Sequence, residues 1–542
     1  MSKFNKAANR PQATSPVTTT GAATTYEGGA GFTRDAKSDL YLLAVTNMVS
    51  EATFYERAED RDTRFSGLVR TVALDDPKWV LGFFPWLRSE GFMRSASVVG
   101  SAEAAKVLCT NGKQEGVAEM IDGSLQRPDE VGEFLAYWVS IGGKLNWPRS
   151  LQAVKEGLSR AALRMYTQRN WLKYNSAKNL YTFDRVIQIL HLKPGSPEQS
   201  ALFKYILDNR YQGATAPLPD DLTMLRTQVE WRAEVRRIVS GDMPMAAQDE
   251  AVSGVLDPNR LKAAGLTWED VLSALGSKID KASLWSSIIP SMGSMALIRN
   301  LRNMDEAGVN DEVAEAVARR ISDPEQVKRS RQFPFRYLAA HQAVTSFRWS
   351  HALEKALAAS LSNVPELRGN TLILVDRSGS MFGGLSKQTQ LNRADSAAIF
   401  GTALAMRAEK AKLVQFGTRH REVAFRKGDP LLRVLDKFEG MGGTNTANAV
   451  KAHFNGHDRV IIITDEQAFP SYGMYGTRYG ENIGSLIPKQ VPLYTWNLAG
   501  YSVAQSESGK SNRHTFGGLS DASFRLIPML EARHSASWPW QS

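Results

Sequence analysis

The 542-residue sequence has a single cysteine, Cys109, and no long apolar segment. One cysteine excludes an intrachain disulfide and any zinc cluster built on cysteines. The longest apolar runs, at 41–45 and 460–463, are far shorter than the roughly 20 residues that a membrane span needs. Residues 1–25 also lack the apolar core of a secretory signal. These absences predict a cytoplasmic protein with no membrane partner.

Positive charge is in excess and unevenly placed. The chain has 66 Lys and Arg against 56 Asp and Glu, a balance that favours a polyanionic partner such as a nucleic acid. Residues 144–193 hold ten of these cations and two acidic residues. Aromatic side chains between the cations could stack on unpaired bases, or they could be the buried side of a solvated helical surface. The aromatic residues are Trp147, Tyr166, Trp171, Tyr174 and Tyr181.

Three regions differ in composition and hydrophobic pattern. Residues 1–25 are rich in Ser, Thr and Ala and are predicted to be a flexible segment. In residues 26–365 apolar side chains recur at three- and four-residue spacing, which predicts an all-α module of helical repeats. Asp-Pro pairs at 76–77, 257–258 and 323–324 predict helix boundaries there. In residues 366–542 short Val/Ile/Leu runs alternate with helical segments, which predicts a doubly wound α/β domain with a parallel sheet.

Hydroxyl and carboxyl side chains occupy three loops of the predicted α/β domain. Asp376, Ser378 and Ser380 form a D-x-S-x-S motif after the run TLILVD, Thr444 lies in GGTNT, and Asp465 follows RVIIIT. Because the carboxyl ends of parallel strands form one crevice, these oxygens are expected to converge. Carboxylate and hydroxyl oxygens suit Mg²⁺ or another divalent cation. The alternative is a Ser-rich turn that binds nothing.

The order of these five residues resembles the metal-ion-dependent adhesion site of the von Willebrand factor A fold. The segments YTQRN (166–170), DRVIQILHLKP (184–194), 289–304 and 331–341 resemble the TROVE module of the Ro autoantigen family, in which that module precedes a von Willebrand factor A domain. The resemblance implies a ring of HEAT-like repeats closed by the A-type domain. It also implies Y-type small non-coding RNA on the outer surface and single-stranded 3′ ends of misfolded RNA in the central hole.

The predicted RNA contacts have two sources. Arg169, His191 and Lys193 match the RNA-contacting segment of the family, whereas Arg160, Arg164, Lys173 and Lys178 are predicted from charge alone. A lone histidine after an apolar run is usually a structural residue, whereas the position of His191 at the end of the basic stretch makes it a candidate phosphate or base donor. Arg299 and Arg302, in a segment that matches the family, are equally typical of a salt-bridged helix.

Two functions of different class follow from these features. The first is a non-enzymatic scaffold for RNA quality control, for which the resemblance also implies a 3′-exoribonuclease partner. The alternative is a metal-dependent adaptor that grips a partner's carboxylate through the A-type domain. A hydrolase using Asp376 and Asp465 is less favoured, since no general base or second acidic pair is evident. No phosphate-binding loop is present, which argues against an NTPase.

Overall fold

The computed structural model describes residues 15–46, 50–213, 216–242, 245–276, 279–330, 332, 334–344, 346–385, 391–472, 478–479, 481–510, 512–519, 521–531 and 538. The chain divides into two compact units. We call the first, of residues 1–100, 331–339 and 360–542, the α/β unit, and the second, of residues 101–330 and 340–359, the helical unit. None of the helices in the described ranges is both long enough and apolar enough to cross a bilayer.

Helices make up the chain from residue 36 to residue 360, as the apolar spacing predicts. The first four are α1 (Ala36–Thr46), α2 (Ala58–Asp75), α3 (Pro77–Ser89) and α4 (Arg94–Thr110). The next eight are α5 (Val117–Ser124), α6 (Glu130–Ser140), α7 (Gln152–Met165), α8 (Gln168–Tyr174), α9 (Phe183–Leu190), α10 (Pro197–Gln212), α11 (Thr223–Ser240) and α12 (Met245–Val255). Eight more follow, namely α13 (Pro258–Ala263), α14 (Trp268–Leu275), α15 (Lys281–Ile288), α16 (Ser294–Glu306), α17 (Asp311–Ser322), α18 (Pro324–Ser330), α19 (Pro334–Ala343) and α20 (Phe347–Ser360).

The Asp-Pro pairs begin helices α3, α13 and α18, which confirms their prediction. Each proline is the first helical residue, where its missing N–H leaves no bond unmade. Each aspartate caps the helix: the Asp76 carboxylate accepts from the amide of Trp79, Asp257 from the amide two residues on at 2.9 Å, and Asp323 from the amide three residues on at 2.7 Å. Such caps satisfy amides that have no partner inside the helix.

Close packing between helices of the helical unit depends on small residues. A Cβ at Gly157 of α7 would lie 2.7 Å from the Ala118 carbonyl and 2.8 Å from Cβ of Ile121, both on α5. The glycine therefore lets α5 and α7 approach more closely than larger side chains would permit. This contact positions α7, which carries Arg160 and Arg164.

The α/β unit contains the predicted parallel sheet. Its strands and helices are β1 (Thr19–Thr24), β2 (Ala30–Arg34), β3 (Leu367–Asp376), α21 (Arg393–Arg407), β4 (Ala408–Phe416), β5 (His420–Glu422), α22 (Leu431–Leu435), α23 (Thr446–His453), β6 (Arg459–Thr464), β7 (Ser471–Tyr472), β8 (Arg478–Tyr479), β9 (Leu493–Asn497), β10 (Arg513–Gly517) and α24 (Leu526–Glu531). The main sheet has the order β10-β9-β6-β3-β4-β5. All its pairings are parallel except that of the edge strand β5 with β4.

Both faces of this sheet are covered. On one face Leu372, Leu374 and Ile462 belong to a fully buried cluster with Val450 of α23. On the other face α21 lies so close to β3 that a Cβ at Gly401 would come within 2.4 Å of Cγ2 of Val375. A sheet buried on two faces explains the continuous apolar runs in its strands. The predicted fold class, helical repeats with a doubly wound A-type α/β fold, is confirmed.

The amino-terminal hairpin β1–β2 differs from the sequence prediction. Residues 15–24 fall in the segment predicted to be flexible, yet their backbone is fixed on the α/β unit; residues 1–14 lie outside the described residues. The amide of Thr19 donates to the Ser508 carbonyl at 3.2 Å, and the Ser15 hydroxyl bonds to that of Ser508 at 3.1 Å. The prediction of flexibility for 15–24 is wrong because these polar residues satisfy their hydrogen bonds with a segment almost 500 positions away. Residues up to 100 share the compact unit of the sheet, although the sequence assigned 26–365 to the helical module.

Candidate functional sites

The predicted cation site lies at the carboxyl edge of the main sheet. Asp376 is the last residue of β3, and Asp465 directly follows β6. These strands are parallel neighbours, with Val375 opposite Ile463, so the two aspartates leave the sheet at the same edge. The loop that carries Thr444 joins them, because the amide of Gly379 donates to the Gly442 carbonyl at 2.7 Å.

The motif residues after β3 form a compact cluster of oxygens. The Asp376 carboxylate accepts from the amide of Ser378 at 2.9 Å and from the Thr464 hydroxyl at 2.6 Å. The hydroxyls of Ser378 and Ser380 lie 3.3 Å apart. All five predicted cation ligands are buried, with at most 5% of any of them exposed.

Two carboxylates share this buried space without enough donors to neutralise them. Burial raises the pKa of Asp465 to about 7, and the charge of Asp376 adds to the rise. Burial likewise raises the pKa of Asp376. Oδ2 of Asp465 is a buried oxygen with no hydrogen-bond partner among the described residues. A divalent cation would satisfy that oxygen and the hydroxyl lone pairs, so the donor set fits Mg²⁺.

The described residues contain no group of three His, Cys, Asp or Glu side chains placed to hold a metal ion. The cation site does not depend on such a group, since three of its five predicted ligands are hydroxyls. Five protein ligands would leave one position of an octahedral Mg²⁺ ion for a further oxygen ligand.

Residues of the amino-terminal region border the cation site, and sequence reasoning missed them. The hydroxyl of Tyr55 lies beside Ser380 and donates to the Glu27 carboxylate. Its ring stacks on Tyr26 with centroids 5.1 Å apart. Next to Asp465, Glu466 forms a fully buried ion pair with Arg34. These residues are more than 300 positions from the motif, and nothing in their local sequence marks them.

Two of the predicted RNA contacts are engaged in ion pairs. Arg160 binds Glu119 at 2.8 Å and also pairs with Glu156. Arg164 binds the Asp122 carboxylate at 2.8 Å and the Leu125 carbonyl at 2.8 Å. Both arginines therefore tie α7 to α5 and its following loop, a role that the charge count could not distinguish from RNA binding.

The other predicted RNA contacts are exposed and carry no ion pair within the described residues. They lie on α8, in the loop after it, and just after α9. Nζ of Lys173 lies 5.2 Å from the centroid of the Tyr174 ring. His191 adopts a left-handed conformation, φ 52°, that ends α9, so it has the structural role as well as an exposed ring. The five are Arg169, Lys173, Lys178, His191 and Lys193.

Two side-chain amides, that of the half-buried Gln199 and that of the buried Gln168, hold the start of α8 close to the turn after α9. The side chain of Gln199 donates to the carbonyls of Leu163 at 2.8 Å and Tyr166 at 3.2 Å, and accepts from the amide of Gly195 at 2.8 Å. Gln168 donates to Glu198 at 2.6 Å. The segments that carry Arg169 and Lys193 therefore lie close together, where α7 ends and α10 begins. We call this region the α8–α9 surface.

Two of the five aromatic residues of the basic stretch, Trp147 and Tyr166, belong to the buried core. Tyr166 is 1% exposed and stacks on Phe183 with centroids 3.9 Å apart. Trp147 is also buried, and its indole N–H donates to the Ile189 carbonyl at 2.9 Å. Tyr174 is half-buried and lies between two cations, since Arg127 is 5.3 Å from its ring centroid. Of the two interpretations of these aromatics, the structure supports a buried helix core for Trp147 and Tyr166.

Arg299 and Arg302 of α16 differ from each other. Arg302 binds Glu306 at 2.8 Å, one turn further along the helix, which is the salt-bridged interpretation. Arg299 is exposed. Only Arg299 is thus available to an external anion.

Comparisons with known proteins agree with the resemblance seen in the sequence. Residues 248–349 match the TROVE domain. Over 80 residues the chain is 40% identical to telomerase protein component 1 of Mus musculus, a match that covers 14% of this chain and 3% of that protein. It is 24% identical over 302 residues to RNA-binding protein RO60 of Deinococcus radiodurans, which covers 52% of each. The matches thus span about half of one curated relative and a small part of the other.

The fold is similar to that in the crystal structure of the Deinococcus radiodurans RO (RSR) protein. The TM-score is 0.60 at 17% sequence identity, over 92% of this chain and 100% of that chain. The predicted RNA contacts, all between residues 160 and 193, precede the matched TROVE range. Their roles therefore depend on the residues and contacts described above.

Proposed function

We propose that this chain, whose residues 248–349 match the TROVE domain, binds non-coding RNA through the α8–α9 surface. The observation that supports this most is the division among the cations. Arg160 and Arg164 are neutralised by acidic neighbours, whereas Arg169 and Lys193 are exposed without an ion pair in the described ranges. Unpaired cations can neutralise phosphates and release counterions.

The proposed ligands are Y-type small RNAs, with single-stranded 3′ ends of misfolded RNA as a second class. The protein would act in the cytoplasm as a scaffold for RNA quality control and would itself cleave nothing. A 3′-exoribonuclease is the proposed partner that acts on the bound RNA. An incubation of end-labelled RNA with the protein and Mg²⁺ tests the non-enzymatic part, since cleavage that disappears in Asp465→Ala would contradict it.

Binding should depend steeply on salt. We expect the affinity for a structured RNA, measured by fluorescence anisotropy between 50 and 200 mM KCl, to fall as a power of the salt concentration. The double variant Arg169→Gln/Lys193→Gln should weaken binding and reduce the salt slope by about 1 for each phosphate contact removed.

Arg160→Gln/Arg164→Gln is the matched control, because it removes the same charge from the same stretch. We expect it to destabilise the α5–α7 contact slightly while it leaves the salt slope unchanged. If both double variants reduce the salt slope equally, RNA affinity depends on the net charge of the stretch and not on which cations are unpaired. No binding of structured RNA by the parent protein would refute the proposal itself.

A second proposed function is that of a metal-dependent adaptor. The unpartnered Oδ2 of Asp465 supports it. Asp376 and Asp465, together with Ser378, Ser380 and Thr444, would hold a Mg²⁺ ion. When bound, the ion would supply a positive charge that can take a carboxylate or phosphate oxygen of a partner.

Isothermal titration of the EDTA-treated protein with Mg²⁺ and Mn²⁺ tests the cation site directly. Asp376→Ala should abolish cation binding while RNA binding by the α8–α9 surface persists. If this variant folds but no longer binds RNA, RNA binding itself depends on the cation site. No heat of binding for either cation, confirmed by equilibrium dialysis, would exclude the adaptor function.

A further inference from the structure

A cavity of about 370 Å³ lies between helices α11 and α14 of the helical unit, outside both sites described above. Its volume is within the range of small-ligand pockets. The apolar part of its lining includes Val235, Leu266 and Ala274. Trp231 forms part of the floor but is 1% exposed, and its indole N–H is already bonded to the Val255 carbonyl at 2.8 Å.

Two arginines on one face of α11 line the cavity. Arg232 and Arg236 are one helical turn apart and both are exposed. Neither forms an ion pair with any residue that the structure describes. Arg236 donates only its Nε to the Arg232 carbonyl, at 3.3 Å, which leaves the end of its guanidinium free.

The acidic groups nearby are already engaged. Asp270 lines the cavity, but its carboxylate accepts from the amide and hydroxyl of Thr267 at 2.8 and 2.7 Å. Glu234, on the opposite side of α11, pairs with Arg260 at 2.6 Å. The cavity thus combines an apolar lining with two arginines that outnumber its one carboxylate, a combination that suits a ligand with an apolar ring and an anionic group.

The cavity is linked to the α8–α9 surface by helix contacts. The amide of Leu225, in the first turn of α11, donates to the Gln168 side chain of α8 at 3.3 Å. Burial raises the pKa of the Tyr205 hydroxyl, and the nearby charge of Arg232 partly opposes that rise. The Tyr205 ring in turn meets Trp171 of α8 edge-on, with centroids 5.7 Å apart. Arg232 therefore lies on the side of α11 that faces α8.

We propose that this cavity holds one unpaired nucleotide of an RNA strand that continues over α8. The base lies against Leu266 and Ala274, and its phosphate binds the guanidinium groups of Arg232 and Arg236. This inference rests on the proposed RNA-binding function and adds to it a pocket selective for single strands, since a base in a duplex cannot enter.

Fluorescence anisotropy with a labelled ten-nucleotide oligouridylate and a duplex RNA of the same length tests the proposal. Arg232→Gln/Arg236→Gln should weaken binding of the single strand about ten-fold or more, because charged contacts to phosphate dominate affinity. Ala274→Phe fills the cavity without changing its charge, and it should weaken binding of the single strand by a similar factor. Duplex binding should stay within about two-fold in both.

Arg319→Gln/Arg329→Gln removes two exposed charges elsewhere in the helical unit and is the control. If this control weakens binding of the oligonucleotide as much as Arg232→Gln/Arg236→Gln does, the proposed nucleotide pocket is wrong. Circular dichroism melts show whether Ala274→Phe folds; Ala274→Leu replaces it if not. Photocrosslinking of a 4-thiouridine strand should label peptides within 231–239 or 266–274, and labelling confined to other regions overturns the pocket.

The outcomes separate this inference from the function on which it rests. A parent protein that binds no RNA refutes both. The pocket alone is refuted if the parent protein binds RNA, Arg169→Gln/Lys193→Gln abolishes that binding, and the cavity variants retain it. Displacement of the strand by poly-glutamate at comparable concentration would assign the cavity to an acidic peptide and would also overturn the proposal.

Discussion

The pair of buried aspartates at the cation site makes the stability of the metal-free protein depend on pH. The pKa of Asp465 rises from 3.8 to about 7 because of burial and the charge of Asp376. Between these values the folded chain binds more protons than the unfolded chain. The free energy of unfolding therefore falls as pH rises through that window, and the whole loss is present above about pH 7.

The size of this effect follows from the shift. Each unit of pKa difference corresponds to about 1.4 kcal/mol, so a rise of about three units destabilises the metal-free α/β unit by about 4 kcal/mol at pH 8. This figure counts Asp465 alone, although the two carboxyls titrate as a pair, and water entering the site would lower it by weakening their repulsion. The variant Asp465→Asn keeps the shape of the side chain and removes its charge.

Guanidinium denaturation in EDTA, followed by circular dichroism at pH 5.5 and pH 8, measures the effect. The parent should lose stability between the two values, whereas Asp465→Asn should lose much less and exceed the parent at pH 8. Mg²⁺ should restore the parent at pH 8, by about 2.7 kcal/mol at one hundred times its dissociation constant, and should not restore the variant.

Asp75→Asn, which changes an exposed carboxylate of α2, is the control and should behave as the parent. A parent protein equally stable at both pH values, with an Asp465→Asn variant no more stable at pH 8, would refute the reasoning. It would mean that the two carboxylates are solvated or paired in a way that the described contacts do not show.

Three further predictions concern packing and one half-buried histidine. Gly401→Ala places a Cβ 2.4 Å from Cγ2 of Val375 and should destabilise the α/β unit by about 1–3 kcal/mol; an unchanged denaturation midpoint would contradict the close approach. Tyr166→Ala should cost about 3–5 kcal/mol because the ring is buried against Phe183, whereas Tyr166→Phe should retain stability and RNA affinity. Burial and the neighbouring Lys412 charge lower the pKa of His453 to about 4, so its NMR signals should not titrate between pH 5.5 and 8; a midpoint near 6.5 would show that its ring is solvated.

The strands of the α/β unit could be predicted because their sequence is unambiguous. Runs such as RVIIIT are buried on both faces, which permits few other structures. Parallel strands also bring their carboxyl ends to one edge, so the convergence of Asp376 and Asp465 follows from the fold class. The helix starts at Asp-Pro pairs were predictable because the cap and the first helical residue are adjacent in sequence.

Features that depend on distant partners could not be predicted. Thr19–Thr24 is a polar, glycine-containing strand whose partners include Ser508, and nothing within it indicates that pairing. Tyr55 and Arg34 approach the cation site through tertiary packing alone. The engagement of Arg160 and Arg164 depends on acidic residues some 40 positions earlier, so counting charges in a window overstated how many cations are available.

The attachment of residues 15–34 to a sheet formed by residues 367–517 has a consequence for the order of events during synthesis. At roughly 5–20 residues per second, the first hairpin waits on the order of half a minute or longer before Ser508 leaves the ribosome. The backbone groups that later bond to the sheet, such as the amides of Thr19 and Phe32, meanwhile have only water or a chaperone as partners. A fragment that begins after the hairpin would lack both strands whose backbones bond to Ala504 and Ser508. Supplying residues 1–100 as a separate chain should therefore rescue the solubility of a fragment of residues 360–542.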